Sequence, residues 1–147
     1  MIKTMMILLG FFLLLPSVAW SAPSDHVAYL KNITGEVSIL RNDSTIKARV
    51  GSQLKRSDVI KTHSNSSVGI IFIDNTRLSL GENTEITINE YKFVPVNQEY
   101  AFSLLMKKGK ALYSSGKLTK LAPEKINFQT PRATIGVRGT KFLVQVD

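Results

Sequence analysis

Apolar and polar residues alternate with a period of two along much of the chain that follows the N-terminal apolar run. Val37 and Ile39 alternate with polar neighbours, and the same spacing recurs in the stretches 46–50, 78–80 and 86–88. Such alternation is typical of strands that bury one face, and the abundance of Ile, Val and Thr favours the same structure. No stretch here keeps helical spacing for three turns. The pattern predicts an all-β domain.

Residues that favour turns separate these stretches at short intervals. Closely spaced turn signals are typical of a meander or roll of many strands and not of alternating strands and helices. We therefore expect an antiparallel β-roll, a jelly-roll or a short solenoid-like sandwich. The main turn signals are Asn42-Asp43-Ser44, Gly51-Ser52, Arg56-Ser57-Asp58, Asp74-Asn75, Gly81-Glu82-Asn83 and Lys108-Gly109.

Two segments depart from simple alternation. The run 68–73 is apolar at every position except Gly69, which predicts a strand covered on both faces. Asp74-Asn75 follows, and both residue types tolerate the positive φ angles of a tight hairpin. We expect the chain to turn back there along residues 76–80.

The apolar alternation near the C-terminus changes phase at Gly139. A one-residue slip turns the apolar face outward unless the strand contains a bulge, so we predict a bulge at this glycine. The segment Thr140–Val146 is too apolar for an exposed sheet edge. We expect it to pair internally, with Phe142 and Val144 buried against Ser67–Ile73.

The N-terminus has the three parts of a secretory signal peptide. Residues 1–3 carry a cation, residues 5–15 form a continuous apolar run, and residues 16–22 form an exit rich in small residues. The apolar run is shorter than the roughly 20 residues that cross a bilayer, although an uncleaved anchor is the alternative. Ala19 and Ser21 favour cleavage after residue 21.

The predicted organisation is a signal peptide at 1–21 and one β-domain at 22–147, located in the periplasm or secreted. The chain has 147 residues and a net charge of +8, which becomes +7 when Lys3 leaves with the signal peptide. It contains no Cys, so a Cys nucleophile and a zinc-thiolate site are excluded. Its two His residues are His26, beside the predicted new terminus, and His63, in a polar loop where it is most simply solvated. We predict no enzymatic activity and no cofactor.

A family resemblance rests on the run from Thr130 to Phe142, TPRATIGVRGTKF. This run resembles the TP-x-A-x-x-G-V-R-G-T-x-F element of the FecR domain. The positions that match are Thr130, Pro131, Ala133, Gly136, Val137, Arg138, Gly139, Thr140 and Phe142.

Weaker likeness to the FecR domain extends over about residues 30–147. Gly35-Glu36-Val37 and the stretch 58–62 resemble the opening strands of that domain, and 74–80 resembles its central hairpin. Ser57 and Asn75 stand where the family usually has Gly, and both are competent for turns.

The resemblance implies a periplasmic all-β domain. In the regulator that gives the family its name, this domain follows a cytoplasmic anti-sigma segment and a membrane helix, and it relays a signal from an iron-siderophore transporter. We expect the present chain to be similar to stand-alone secreted FecR-like domains. Iron regulation is therefore not assigned to it by default.

Four features of the sequence bear on the choice between a structural and a functional interpretation. Arg138 lies in an apolar stretch and is interpreted as partly buried and paired across the sheet. The aromatic residues at 91, 93, 100 and 102 favour core packing over a sugar-binding cleft. Acidic residues are scattered without calcium-loop spacing. Six lysines within 19 residues form either a solvated face or a site for an anionic ligand: Lys107, Lys108, Lys110, Lys117, Lys120 and Lys125.

The leading functional hypothesis is a non-catalytic protein-interaction or sensory module of the cell envelope. The alternative is a binding module for an anionic polysaccharide or lipid surface. A hydrolase using His63 is a third, weaker hypothesis. Nucleic acid is not an expected partner, since the signal peptide directs the protein out of the cytoplasm and few aromatic residues accompany the lysines. The sequence leaves open the partner, the oligomeric state and any role in sigma-factor or iron signalling.

We predict that export leaves a mature protein beginning at Ala22. Intact-mass measurement on protein recovered from the envelope fraction checks this. Recovery of unprocessed Met1 in membranes would show that the N-terminal segment is an anchor.

Overall fold

The computed structural model describes residues 19, 21, 24–139 and 141–147. The predicted signal peptide and its cleavage position fall almost entirely outside these residues and stay predictions, and the motif residue Thr140 also lies outside them. Across the described ranges, we find no helix whose length and apolar character suffice to span a membrane.

The described part of the chain is mostly β. A five-residue helix α1 (Lys117–Leu121) and two short 3-10 turns (Pro95–Asn97 and Pro123–Lys125) qualify the all-β prediction. The strands are β1 (Ala28–Thr34), β2 (Val37–Arg41), β3 (Ser44–Lys47), β4 (Gln53–Leu54), β5 (Val59–Thr62), β6 (Ser67–Phe72), β7 (Arg77–Leu80), β8 (Glu85–Val94), β9 (Glu99–Ser114), β10 (Ile126–Gln129), β11 (Thr134–Gly136) and β12 (Lys141–Val146).

The long strand β9 belongs to two arms of one curled sheet. Its N-terminal half pairs with β8 on one side and with β10 on the other, and its C-terminal half pairs with β7 and β12. One arm therefore runs β3-β2-β5-β8-β9-β10-β11, and the other runs β4-β1-β6-β7-β9-β12. Every pairing is antiparallel except that of β9 with β10. The result is an antiparallel sheet curled into a half barrel.

Gly109 permits the bend that lets β9 serve both arms. Its φ is +102°, and a Cβ at this position would overlap the side chain of Thr84. The Thr84 hydroxyl accepts a hydrogen bond from the N–H of Lys110 at 3.0 Å, and the hydroxyl of Thr62 accepts one from the N–H of Thr84 at 2.9 Å. The backbone at the bend therefore keeps its hydrogen bonds although regular pairing is interrupted.

An aromatic cluster fills the space between the two arms. Phe102 and Tyr113, which lie on opposite sides of the bend in β9, have ring centroids 6.3 Å apart. Tyr91 stacks on Phe72 at 5.2 Å, and both are almost fully buried. The expected core packing is therefore confirmed for Tyr91 and Phe102, whereas Phe93 and Tyr100 are half-buried and pack against the core from its margin.

The predicted hairpin at Asp74-Asn75 is confirmed, since β6 pairs with β7 and Asn75 has a φ of +67°. The prediction that both faces of this strand are covered is wrong. Val68, Ile70 and Phe72 are buried, whereas the residues between them are only half-buried. The reason is that β6 lies inside its sheet between β7 and β1, and only one face of that sheet meets the core.

The predicted bulge at Gly139 is wrong, although the phase does change there. The chain forms two separate strands, because β11 pairs with β10 whereas β12 pairs with β9. Each strand therefore has its own inward face. The expected internal pairing of the last strand and the burial of Val144 are confirmed, but the partner is β9 and not β6. Phe142 is half-buried and lies opposite Tyr113 of β9, with ring centroids 4.8 Å apart. Within the described ranges β9 is its only strand partner, so β12 is an edge, which the apolar pattern did not predict.

Ser57 and Asn75, the two residues found where FecR domains usually have Gly, both adopt left-handed backbone conformations. Their φ angles are +69° and +67°. Glycine enters this region without steric cost, Asn tolerates it through local hydrogen bonding, and Ser does so less well.

We predict that Ser57→Gly raises the free energy of unfolding by about 0.5–1 kcal/mol, because relief of steric strain exceeds the added entropy of the unfolded chain. Asn75→Gly, the matched control, changes it by less than about 0.5 kcal/mol, since Asn already suits this region. Urea denaturation measures both. A loss of stability in Ser57→Gly would show that its left-handed conformation carries no strain.

Candidate functional site

Most residues of the family motif lie on the surface. Among the motif residues that the structure describes, Val137 alone is buried, whereas Thr130 and Phe142 are half-buried. A tight turn opens the motif, in which the N–H of Thr130 donates to the carbonyl of Ala133 at 2.8 Å and the N–H of Ala133 donates to the hydroxyl of Thr130 at 3.1 Å. The exposed motif residues are Pro131, Ala133, Gly136, Arg138 and Gly139.

Strand β11, which contains Gly136, is an edge of the sheet. It pairs with β10, with Phe128 opposite Ile135, and has no second strand partner in the part of the chain that the structure describes. The backbone groups on its outer side are therefore available to another extended chain.

A groove of about 670 Å³ adjoins this edge, and we call it the motif groove. One wall comes from α1 and the 3-10 turn after it, and the other comes from the motif. Pro123 supplies half-buried apolar surface, since Ile126 and Val137 are themselves buried, while Thr119, Glu124 and Arg138 supply polar groups. Its lining residues are Thr119, Pro123, Glu124, Ile126, Asn127, Gly136, Val137 and Arg138.

The interpretation of Arg138 as a partly buried, paired residue is wrong. The side chain is exposed and makes no hydrogen bond or ion pair to any residue within the described ranges. The physical reason is that β11 ends at Gly136, so Arg138 lies beyond the paired part of the sheet and has no strand beside it within the described ranges.

Positive charge surrounds the motif. Residues 125–146 contain Lys125, Arg132, Arg138 and Lys141 and no acidic residue. All four cations are exposed. This surface therefore favours an anionic partner.

The buried carboxylate of Asp74 fixes the entry of the chain into α1. It accepts hydrogen bonds from the hydroxyl of Tyr91 at 2.8 Å and from the hydroxyl of Thr76 at 2.7 Å. The N–H of Leu118 donates a third bond at 3.0 Å. Gly116 is held so close to the β6–β7 turn that a Cβ there would overlap its backbone. One wall of the motif groove is thus attached to the core.

Two buried tyrosines, Tyr91 and Tyr113, also contact the residues that hold α1 in place. Burial raises the pKa of Tyr91 well above its usual range, and the neighbouring charge of Asp74 raises it further. Burial also raises the pKa of Tyr113, whose hydroxyl lies 3.1 Å from that of Thr119 in the groove wall. Both phenols therefore remain neutral hydrogen-bonding groups in the folded domain.

The six lysines predicted as an anion site fall into two groups along the fold. Lys107, Lys108 and Lys110 flank the bend in β9, and Lys107 lies 3.3 Å from Glu85. The other three lie after the C-terminal end of β9, where Lys117 and Lys120 belong to α1 and Lys125 to the following 3-10 turn. All six are exposed, and only the second group adjoins the motif groove. Their binding of an anion stays a prediction.

The acidic residues have structural partners that spacing alone did not indicate. Asp58 is fully buried and binds Arg41 through two side-chain hydrogen bonds of 2.6 and 2.8 Å. The sequence pattern identifies Asp74 only as a turn residue. Its place directly after a buried strand also indicates a carboxylate close to the core. His63 is exposed in a loop, as expected. Within the described ranges, no three His, Asp or Glu side chains are grouped so as to hold a metal ion.

A family model for the FecR protein matches residues 58–147, which is more than half of the chain. The chain therefore belongs to the FecR family, and the resemblance is confirmed over that range. No curated protein and no solved structure matches it. FecR domains are associated with sensing and signalling in the cell envelope and are generally non-catalytic.

We predict that stability falls as the pH rises above about 10, where tyrosines of the unfolded chain ionise, because the raised pKa values of Tyr91 and Tyr113 keep both neutral to higher pH in the folded domain. Their stabilising contribution is complete below that pH and decreases above it. Tyr91→Phe should reduce the slope of unfolding free energy against pH by about 1.4 kcal/mol per unit above pH 10. Urea titrations between pH 8 and about 11.5 measure the slope. Tyr29→Phe, at a position 40% exposed, is the control for loss of a surface tyrosine. An unchanged slope in Tyr91→Phe would contradict the prediction.

Proposed function

We propose that this FecR domain is a non-catalytic protein-interaction module of the cell envelope, acting outside the cytoplasm. Its partner is an extended, acidic segment of an envelope protein, which binds in the motif groove and along β11. The observation that carries this proposal is the exposure of the motif. Residues that give the family its likeness lie mainly on the surface, where they do not contribute to the core.

The free edge of β11 suits an extended segment. Addition of a strand to a sheet edge provides affinity through backbone hydrogen bonds, and neighbouring pockets provide specificity through alternate side chains. Here the groove beside the edge offers half-buried Pro123 as apolar surface among polar side chains. An added segment would therefore find hydrogen-bond partners for its backbone on β11 and contacts for its side chains in the groove.

The charge around the edge favours acidic residues in that segment. Arg132 and Arg138 stand on either side of β11 and are exposed, and neither has an ion-pair partner in the described part of the chain. Guanidinium groups bind carboxylates through two parallel hydrogen bonds, which adds orientation to attraction. Complementary charge also increases the rate of encounter.

The groove is formed before a partner binds, which lowers the entropic cost of binding. Its α1 wall is held by the Asp74 carboxylate, and Thr119 in that wall contacts the buried Tyr113. The signal peptide predicted at 1–21 supports an envelope location, as does the association of FecR domains with envelope signalling.

Site-specific photo-crosslinking in envelope preparations from cells that express the protein tests this proposal. Gly136 is a suitable position for the photoreactive residue, because no atom lies within 4 Å of a Cβ there. We expect one discrete crosslinked protein from Gly136. None is expected from Thr45, which is exposed on β3 at the opposite end of the sheet.

The double substitution Arg132→Glu with Arg138→Glu should remove that crosslink. Lys47→Glu with Arg49→Glu, an equal change of charge at exposed positions elsewhere, should leave it. The proposal fails if Gly136 and Thr45 give the same pattern, or if both double variants reduce the crosslink equally.

A further inference from the structure

Strand β12 is a second edge, in the other arm of the sheet. It pairs with β9 from Lys141 to Val146, and no other strand in the described ranges pairs with it. Leu143 on this strand is 66% exposed. An edge with exposed apolar residues and without Pro or a bulge is able to pair with another chain.

Side chains along β12 alternate between two faces. Phe142, Val144 and Val146 face the core side, and the outward face carries Lys141, Leu143, Gln145 and Asp147, all exposed. The outward face thus has a cation at one end, an anion at the other and no further charge between them.

This pattern is self-complementary in one antiparallel register. When a strand pairs with its own copy about a twofold axis, one residue lies opposite itself. With Val144 at that centre, Lys141 lies opposite Asp147 of the second copy at both ends of the interface. Phe142 then lies opposite Val146, and Leu143 lies opposite Gln145.

A neighbouring twofold register does not place Lys141 opposite Asp147. With Leu143 at the centre, Lys141 lies opposite Gln145, and Asp147 lies opposite Gly139. Neither charge then meets its opposite. Cross-strand pairs of opposite charge stabilise antiparallel sheets, whereas like charges destabilise them. The charges therefore select the register centred on Val144.

We propose that the occupant of the β12 edge is a second copy of this chain, paired antiparallel with Val144 opposite Val144. A groove of about 410 Å³ beside β12 leaves room along the edge, lined by Val144–Asp147 and by residues near the Thr130 turn. In the dimer, the arm that contains β12 in one copy continues into the same arm of the second copy, so that the two form one sheet. The other wall of this groove includes Ile135 of β11 and the motif turn, so a second copy on β12 lies close to the partner site proposed above. The pairing is argued from the β12 edge and its charges alone and does not rest on the proposed function.

Complementary charge variants test the pairing and its register. We expect protein purified after expression of the full chain to show a concentration-dependent equilibrium between monomer and dimer in sedimentation velocity. Lys141→Glu and Asp147→Lys should each weaken dimerisation roughly tenfold, because each places like charges together at both ends. An equimolar mixture of the two variants should dimerise as well as the original protein, since both ends then carry opposite charges.

Cysteine pairs provide an independent measurement in a chain that has no native Cys. Leu143→Cys combined with Gln145→Cys should form a covalent dimer on mild oxidation, because each Cys lies opposite the other type in the second copy. Leu143→Cys alone should not. Circular dichroism and thermal melting confirm that all variants remain folded.

Three results would overturn the proposal. The first is a wild-type protein that stays monomeric up to about 1 mM, since that limits the interaction to less than about 4 kcal/mol. The second is a folded pair of charge variants whose mixture does not recover dimerisation. The third is a dimer that neither charge variant affects, which would assign self-association to another surface.

Discussion

The bend of β9 at Gly109 is the constraint on which the rest of the structure depends. One strand pairs with β8 and β10 before the bend and with β7 and β12 after it. The two halves thereby enclose the aromatic core. A side chain at Gly109 would overlap Thr84, whose hydroxyl satisfies the backbone there. Loss of this bend would separate the two arms and expose their inner faces.

Two buried carboxylates add hydrogen bonds between parts of the chain that β9 does not connect. Asp74 joins the β6–β7 turn, β8 and the start of α1 through four hydrogen bonds to its side chain. Asp58 joins Arg41 of β2 to the turn before β5. Both hold non-adjacent parts of the chain together, and Asp74 also fixes a wall of the motif groove. The motif groove is therefore supported by the same contacts that stabilise the core.

Local features of the fold were predictable from the sequence, and long-range ones were not. Alternation with a period of two identified strands, and Asn75 marked a hairpin, because both signals depend on neighbouring residues. The partner of β12 was predicted wrongly, since alternation shows which face is buried but not which strand lies beside it. The exposure of Arg138 was missed because the apolar pattern around it predicted a continuous strand, whereas β11 ends at Gly136 and Arg138 lies beyond it.

The order of strands along the chain has a consequence for how the domain reaches its native state. β9 obtains its last partner only from residues 141–146, at the far end of the described chain. Pairings between such distant segments form late, because loop closure must precede them. The C-terminal half of β9 therefore lacks its partner β12 until residues 141–146 have emerged from the ribosome. Phe142 and Val144 therefore reach the core only after residues 141–146 have been synthesised, so the packing of Phe142 on Tyr113 is completed last.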